Sequence, residues 1–186
     1  HSHMISEYER AMSAISNKVD KAETRNALGI INYGATKNAL KDLQYSIELT
    51  LNRIATEKMN LVRKLSEGKI SFGDFSALMD QLNTLEVQAQ DTAKNVSTKL
   101  KDLTGEWWGS IDQWVQQVGQ TMNTILSSLS EIQSNQYDKM IDQQEKYIEE
   151  YQSMLDKEKE ITQEHASAVE SIEDELSTAR GDRRQH

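Results

Sequence analysis

A turn between two long helices is predicted by one run of the chain, Ser66-Glu67-Gly68-Lys69-Ile70-Ser71-Phe72-Gly73-Asp74. Gly68 permits the bend, because glycine lacks the Cβ atom that restricts other residues. Ser71 stands three residues before Asp74, which is the spacing of a capping box, where a hydroxyl and a carboxylate satisfy the free amides of a helix N-terminus. One helix is therefore expected to end near residue 66, and the next to begin at Ser71 with Ser71 and Asp74 as its cap.

Apolar residues recur every three or four positions on both sides of this turn, which is the period of one face of an α-helix. The two patterns match in length, and a short turn between equal helices predicts an antiparallel hairpin of residues 36–66 and 71–104. The first stripe consists of Leu40, Leu43, Ile47, Leu51, Ile54, Leu61 and Leu65, and the second of Phe75, Leu78, Leu82, Leu85, Ala89, Ala93, Val96, Leu100 and Leu103.

A further helix is expected before the hairpin, over about residues 5–28. Its stripe consists of Tyr8, Met12, Ile15, Val19 and Ala22. The run 29–34 has a glycine at each end and predicts a kink or a short loop. Residues 1–4 are interpreted as a cloning scar, so residues 5–106 are expected to form a helical bundle.

The longest apolar pattern begins at Trp107 and runs to about residue 180. Unbroken, this helix would be about 110 Å long, whereas the hairpin helices span about 45 Å at 1.5 Å per residue. The uncovered half must project alone, fold back, or pair with another chain. Projection alone is disfavoured, because Asp156, Glu160 and Glu164 repeat one charge at four-residue spacing. Residues 107–186 are therefore expected to pack on the bundle at first and then to project as a coiled coil.

The predicted partner of this helix is another copy of the chain, in a dimer or trimer formed through the C-terminal helix. Polar residues interrupt the seam and would fix its register at a cost in stability; they are Gln136, Gln144, Glu158 and His165. The candidate helix–helix interface consists of Ile132, Met140, Tyr147, Tyr151, Met154, Ile161, Ile172 and Leu176.

The composition suits a narrow bundle, because only 37% of the 186 residues are apolar and 27% are charged. The expected fold class is all-α, an elongated antiparallel bundle of three to four long helices with the last helix extending as a coiled coil. Residues 137–186 carry 7 Lys and Arg against 14 Asp and Glu, a net charge of −7. Such a surface repels nucleic acid, which binds through clustered Lys and Arg.

No catalytic, cofactor or metal site is predicted. Aligning Gly68 with the glycine of an EF-hand loop places Arg63 and Leu65 where acidic ligands belong, which argues against calcium binding. His165 has no metal-binding side chain one helical turn away on either side. The chain has no cysteine, and no apolar run approaches the roughly 20 residues that span a bilayer. We therefore expect neither an enzyme nor a membrane segment.

Trp107-Trp108-Gly109 lies at the predicted start of the last helix. It resembles the Trp-x-Gly turn of the small helical-hairpin proteins exported by specialised secretion systems of Gram-positive bacteria. That family also has a tyrosine followed four positions later by an acidic residue, whereas Tyr137 is followed by Ile141. The favoured interpretation is that the tryptophans, with Trp114, close one end of the bundle. The alternative is a secreted helical interaction protein of a bacterial secretion apparatus, such as a tip, a translocator or a Trp-x-Gly-type substrate.

A second resemblance covers residues 107–186, and its most specific part is the run from Glu173 to His186. This half of the chain resembles part of a phage tail tape-measure protein, of the type encoded by prophages of gut Bacteroidales. The resemblance implies a structural protein that sets tail length, occupies the tail tube and contacts tail tube or tail assembly proteins. It also implies a location in the bacterial host cytoplasm during assembly and then in the virion tail.

Overall fold

The computed structural model describes residues 6–11, 13–14, 17–18, 20–21, 33–106, 109–129 and 136–160. The described residues are helical or lie in turns and connections, and none of them belongs to a β-strand. The all-α class, a bundle of packed helices, is therefore confirmed. The chain divides into two compact units, residues 1–152 and residues 153–186.

The first two long helices form the predicted hairpin. Helix α1 spans Tyr33–Ser66 and helix α2 spans Phe72–Thr104. The α1 end is closed by Gly68 at φ +70°, and the next amide, Lys69 N–H, donates to Lys64 O at 2.8 Å. This is the Schellman type of helix ending, which glycine favours because it adopts positive φ at little cost.

Ser71 caps the second helix of the hairpin. Its Oγ accepts a hydrogen bond from Asp74 N–H at 3.1 Å, which is the hydroxyl contact that the sequence predicts. Helix α2 ends at Gly105, which has φ +78° and donates its N–H to Lys101 O. Local signals in the sequence therefore fix both ends of α2.

The core of the hairpin consists of the predicted stripes. Side chains of both stripes are buried, among them Leu40, Leu43, Ile47, Leu51, Ile54, Leu61, Phe75, Leu82, Leu85, Ala89, Ala93, Val96 and Leu100. Each buried leucine or isoleucine stabilises the fold by about 1.5–3 kcal/mol relative to its exposed state. Leu65, Leu78 and Leu103, at the ends of the stripes or their edges, are only half-buried.

The N-terminal segment lies beside this hairpin. Its described residues between 6 and 21 are helical. Burial raises the pKa of Tyr8, and the charges of Glu57 and Arg53 on α1 also act on it. Burial lowers the pKa of Lys99 on α2, and the charge of Asp20 opposes that shift. The segment is therefore close to both α1 and α2.

The predicted kink at 29–34 falls partly outside the described residues. Residues 29–32 and most of the predicted N-terminal stripe, namely Met12, Ile15, Val19 and Ala22, are not among them. Gly34 belongs to α1, which begins at Tyr33, three residues before the predicted position 36.

Helix α3 follows a short connection and contains one irregular turn. It consists of Ile111–Trp114, a π-helical turn over Val115–Gly119, and Gln120–Ser127. In the π-turn, Gln120 N–H donates to Val115 O, five residues earlier. Trp114, Val118, Met122 and Ile125 are fully buried, which places the predicted stripe of this helix in the core.

Residues 136–160 are helical and are called α4. Within the first unit, α4 runs antiparallel to α3: Gln144 donates to Val118 O at 2.8 Å, and the Tyr151 hydroxyl lies 2.7 Å from Ser110 Oγ. It also runs antiparallel to α1, because Asp142 lies beside Arg63 and Ile148 beside Asn52. The helices α1, α2, α3 and α4 therefore form two antiparallel hairpins that pack together within the first unit.

The prediction of one unbroken helix from residue 107 to 180 is wrong. Helix α3 ends at Ser127, where Ser128 has φ −101° and ψ 5°, outside the helical range. Of the three possibilities left by the sequence, the chain folds back, because α1 and α3 together bury a face of residues 136–152. In the second unit the described residues, 153–160, are helical, and the predicted projecting coiled coil of residues 161–186 lies outside the described part of the chain.

Candidate functional site: the polar contacts between two helical hairpins

Buried polar residues connect the helices of the first unit, and several of them join one hairpin to the other. In a bundle held together by apolar packing alone, leucine or alanine would occupy such buried positions. The buried polar residues of α1, α2 and α4 are Gln44, Glu48, Thr50, Asn52, Glu57, Lys58, Glu86, Ser97 and Gln144.

One group of these residues surrounds the start of α3. The Glu48 carboxylate, 2% exposed, accepts hydrogen bonds from Ser110 N–H at 2.5 Å and from Ser110 Oγ at 3.3 Å. Ser110 Oγ also lies 2.7 Å from the Tyr151 hydroxyl, and Gln44 donates to Ser97 Oγ at 3.0 Å. We call these five residues, Gln44, Glu48, Ser97, Ser110 and Tyr151, the Glu48 cluster. It connects α1, α2 and α4 to the residue that precedes α3.

The position of Glu48 is electrostatically favourable. Ser110 is the N-cap residue of α3, and its amide points at the carboxylate. Free amides and the helix dipole give a helix N-terminus a partial positive charge, which attracts an anion. The cluster therefore orients the second hairpin on the first. Its hydrogen bonds also offset the cost of burying the Glu48 carboxylate.

Gly109 is required by the same cluster. Its φ is +99°, and a Cβ atom added there would lie 2.5 Å from Gln44 Nε2 and 3.0 Å from Glu48 Oε1. Any other residue would meet both backbone strain and a steric clash. The predicted bend at this glycine is therefore present, whereas Trp107 and Trp108 lie outside the described residues.

Helix α4 is attached to α1 by two further polar contacts. Arg63 donates to both carboxylate oxygens of Glu145, at 2.7 and 2.9 Å, and to Asp142 at 3.0 Å. These hydrogen bonds raise the pKa of Arg63, and the hydrogen bond to Glu145 has the largest effect. The buried Asn52 donates to Ile148 O at 3.0 Å and to Gln152 Oε1 at 3.2 Å. The ion pair is partly exposed and contributes little energy, so its main effect is to fix the register of the two helices.

The π-turn supplies the contact between α3 and α4. The Gln144 amide, fully buried, donates to Val118 O at 2.8 Å, so a side chain of α4 satisfies a carbonyl within the irregular turn. Gly119 gives the turn room, because a Cβ atom there would lie 3.3 Å from the Trp114 ring. Within the described part of the chain, Gln144 Oε1 and Trp114 Nε1 are buried without a hydrogen-bond partner.

A buried cation joins the two helices of the first hairpin. The Lys58 ammonium is fully buried, 2.6 Å from Asn83 Oδ1 and 3.0 Å from Glu86 Oε2. Burial lowers the pKa of Lys58, and the negative charge of Glu86 opposes this shift. The pair fixes the register of α1 against α2, and no sequence motif identifies it.

The predicted interface residues are only partly on the buried face of α4. Tyr151 is buried in the Glu48 cluster, whereas Met140, Tyr147 and Met154 are half-buried. Four others, Ile132, Ile161, Ile172 and Leu176, lie outside the described residues. The face that packs in the first unit consists instead of Tyr137, Ile141, Gln144, Ile148 and Tyr151.

This difference has a physical cause. The predicted stripe runs from α3 through Ile132 and Gln136 on the assumption of one continuous helix, but the chain leaves the helical path at Ser128. The stripe of α3 therefore does not determine which face of α4 is buried. Of the predicted polar seam, Gln144 is buried, Gln136 and Glu158 are exposed, and His165 lies outside the described residues.

The opposite end of the bundle carries an open cleft of 1160 Å³. It lies between the α1–α2 turn and the α3–α4 connection, and Phe72 at its edge is 67% exposed. Its lining combines apolar and charged residues, including Arg63, Leu65, Leu126, Tyr137, Asp138 and Asp142. The described His, Cys, Asp and Glu side chains form no group of three or more that could hold a metal ion.

Comparison of the chain with protein-family models, with curated proteins and with solved structures finds no match. Among the helices that the structure describes, none combines the length and the apolar character that a membrane span requires.

Proposed function

We propose that this chain is a structural segment of a phage tail tape-measure protein, which acts through helix packing and not through catalysis. The observation that carries the proposal is the use of buried polar groups: Glu48, Asn52 and Lys58 all contact neighbouring helices or their ends. Such contacts fix register, which is the property that a structural helical protein needs. The resemblance of residues 107–186 to tape-measure proteins supplies the specific role.

A helical protein suits the measurement of length for a physical reason. Each helical residue adds about 1.5 Å along the helix axis, so a helix of given length spans a defined distance, whether it is extended or paired in a hairpin. The acidic residues 137–186, with a net charge of −7, would also resist binding to DNA that passes through the same tube.

The partners in this role are tail tube or tail assembly proteins, in the host cytoplasm during assembly and then in the virion tail. Self-association as a dimer or trimer through the C-terminal helix remains part of the proposal. Residues 136–152 already have partners within their own chain, so this self-association would use residues beyond them.

Tail length is the direct test. Residues 33–106, the α1–α2 hairpin with its following connection, are deleted in frame from the gene of the parent phage, and tails are measured by electron microscopy. Removal of these 74 residues shortens the tail by about 110 Å if the hairpin is extended in the tube, or by about 50 Å if it stays folded. Both results support a measuring role. Tails of unchanged length would contradict it.

A matched control separates length from stability. The Ile141→Ala variant destabilises the bundle without changing the number of residues, and its tails should keep the parental length. Shortened tails in this variant would show that folding defects, and not chain length, cause the effect of the deletion.

A second candidate is a secreted helical interaction protein of a bacterial secretion apparatus. The observation that favours it is Gly109, whose φ of +99° and close contacts with Gln44 and Glu48 make it essential to the bend after α2. This candidate predicts that the protein appears in the culture medium and that loss of the secretion ATPase abolishes its export. Recovery of the protein in purified phage particles, independent of that ATPase, would exclude it.

A further inference from the structure

Helix α3 changes its geometry at one turn, although its apolar pattern does not require the change. Its buried apolar residues recur at steps of three and four positions, which is the spacing of a regular α-helix; they are Ile111, Trp114, Val118, Met122 and Ile125. At 100° per residue, these side chains would lie within an arc of about 80° on an unbroken α-helix. The sequence of α3 is therefore compatible with an α-helical turn as well as with the observed π-turn.

Gly119 favours the π-turn over an α-helical turn. In a regular α-helix, residues five positions apart point about 140° away from each other. Here the π-turn brings Gly119 beside Trp114, where an added Cβ atom would lie 3.3 Å from the ring. An α-helical turn would instead accept alanine at this position about fivefold more favourably than glycine. The residue type at this position therefore suits the π-turn specifically.

Two contacts with other helices depend on the geometry of this turn. Before the turn, Ser110 N–H donates to Glu48 Oε1 at 2.5 Å, and Ser110 Oγ lies 2.7 Å from the Tyr151 hydroxyl. Within the turn, Val118 O accepts a hydrogen bond from the Gln144 amide at 2.8 Å. Conversion to an α-helical turn would rotate the residues before it by about 100° relative to those after it. The two contacts can therefore be made together only while the π-turn is present.

We infer that the π-turn is a two-state element that couples the Glu48 cluster to Gln144. It is present while both contacts are made, and it relaxes to an α-helical turn when either contact is lost. An unfavourable backbone geometry persists only where the surrounding contacts determine it, and π-turns occur often at functional sites. Docking of α4 on α3 and closure of the Glu48 cluster are then one cooperative event, although Ser110 and Val118 lie about 12 Å apart along the helix. The inference holds for either role proposed above.

A double-mutant cycle on the full chain tests the coupling. Glu48→Gln weakens the acceptor of the Ser110 amide, and Gln144→Leu removes the donor to Val118 O. Because either change releases the turn, the unfolding equilibrium constant of the double variant in urea should stay within about twofold of the worse single variant. Effects that multiply to within about twofold would overturn the inference, because distant independent sites behave in that way. Gln144→Leu with Lys58→Met is the control pair and should multiply, since Lys58 makes its polar contacts with α2.

A substitution inside the turn tests the same element independently. Gly119→Ala disfavours the π-turn through its contact with Trp114 and favours the α-helical turn about fivefold through helix propensity. Hydrogen exchange followed by NMR should then show that the Ser110 amide loses at least about fivefold more protection than the amide of the buried Val96 on α2. Equal losses at Ser110 and Val96 would also overturn the inference. Gly73→Ala, where nothing lies within 4 Å of an added Cβ atom, is the matched control and should leave this ratio unchanged.

Discussion

At the scale of single residues, polar side chains inside the bundle determine how its helices meet. The Glu48 carboxylate accepts a hydrogen bond from the backbone amide of Ser110 at the start of α3. Asn52 and Gln144 donate hydrogen bonds to oxygens of other helices. A buried polar group that loses its partner costs about 1–3 kcal/mol, so a mismatched register is penalised at each of these positions. The contribution of these residues is therefore specificity more than net stability.

Gly109 provides a sharp test at this scale. Replacement by alanine forces a Cβ atom to within 2.5 Å of Gln44 Nε2 at a φ of +99°, so Gly109→Ala should destabilise the bundle by about 2 kcal/mol or more. Gly73→Ala is the matched control, because nothing lies within 4 Å of an added Cβ atom there. That control should be neutral or stabilising by up to about 1 kcal/mol, since alanine favours the helix. Urea unfolding measures both, and equal effects would contradict the structure.

The Lys58–Glu86 pair predicts a non-additive double-mutant cycle. Lys58→Met alone leaves the Glu86 carboxylate buried without its cation and should cost about 3–5 kcal/mol. Adding Glu86→Leu removes the unpaired charge, and the double variant should return to within about 1 kcal/mol of the wild type or exceed it. Chemical denaturation of the wild type, the two single variants and the double variant gives the coupling free energy between Lys58 and Glu86. Additive effects would show that the two side chains do not interact.

The same lysine predicts a dependence of stability on pH. Burial lowers the pKa of Lys58 in the folded chain below the ordinary value of 10.5. Between the two pKa values the unfolded chain binds more protons, so stability due to this group rises as pH rises toward 10.5. The difference in unfolding free energy between the wild type and the Lys58→Met/Glu86→Leu variant should therefore shift in favour of the wild type from pH 7 to pH 10. A shift in the opposite direction would contradict the burial of the charged amine.

At the scale of helices, α1 and α2 were predictable and α4 was not. Gly68, Ser71 and Asp74 are neighbours in the sequence, so their turn and cap can be read locally. The phase of α4 depends on where α3 ends, and the connection 128–135 has no glycine or proline to mark that end. The pairing of Glu48 with Ser110, 62 positions apart, likewise depends on the tertiary fold and carries no local signal.

The phase of α4 can be tested with two neighbouring residues. Ile141 is fully buried and Met140 is half-buried, although the sequence pattern places Met140 in the seam. Ile141→Ala should destabilise the bundle by about 2–4 kcal/mol, because it leaves a cavity. Met140→Ala should cost less than about 1.5 kcal/mol. Thermal and urea unfolding of the two variants show which of the two residues lies on the buried face of α4. A larger effect of Met140→Ala would favour the predicted seam.

At the scale of the whole molecule, α3 and α4 form a hairpin within one chain. The contacts of Gln144 with Val118 O and of Tyr151 with Ser110 require residues 136–152 to return along α3. This arrangement gives residues 136–152 of α4 partners within their own chain, without another copy.

The distance between spin labels at residues 112 and 149 measures this arrangement most directly. Asp112 and Glu149 are exposed, so Asp112→Cys/Glu149→Cys can be labelled with little disturbance to the core. The labelled monomer, isolated by gel filtration and diluted with unlabelled protein, should give a label separation of about 20 Å or less, because antiparallel helices pack 8–10 Å apart. A continuous helix would instead separate the two positions by about 56 Å at 1.5 Å per residue. A distance near 56 Å in the monomer would contradict the hairpin.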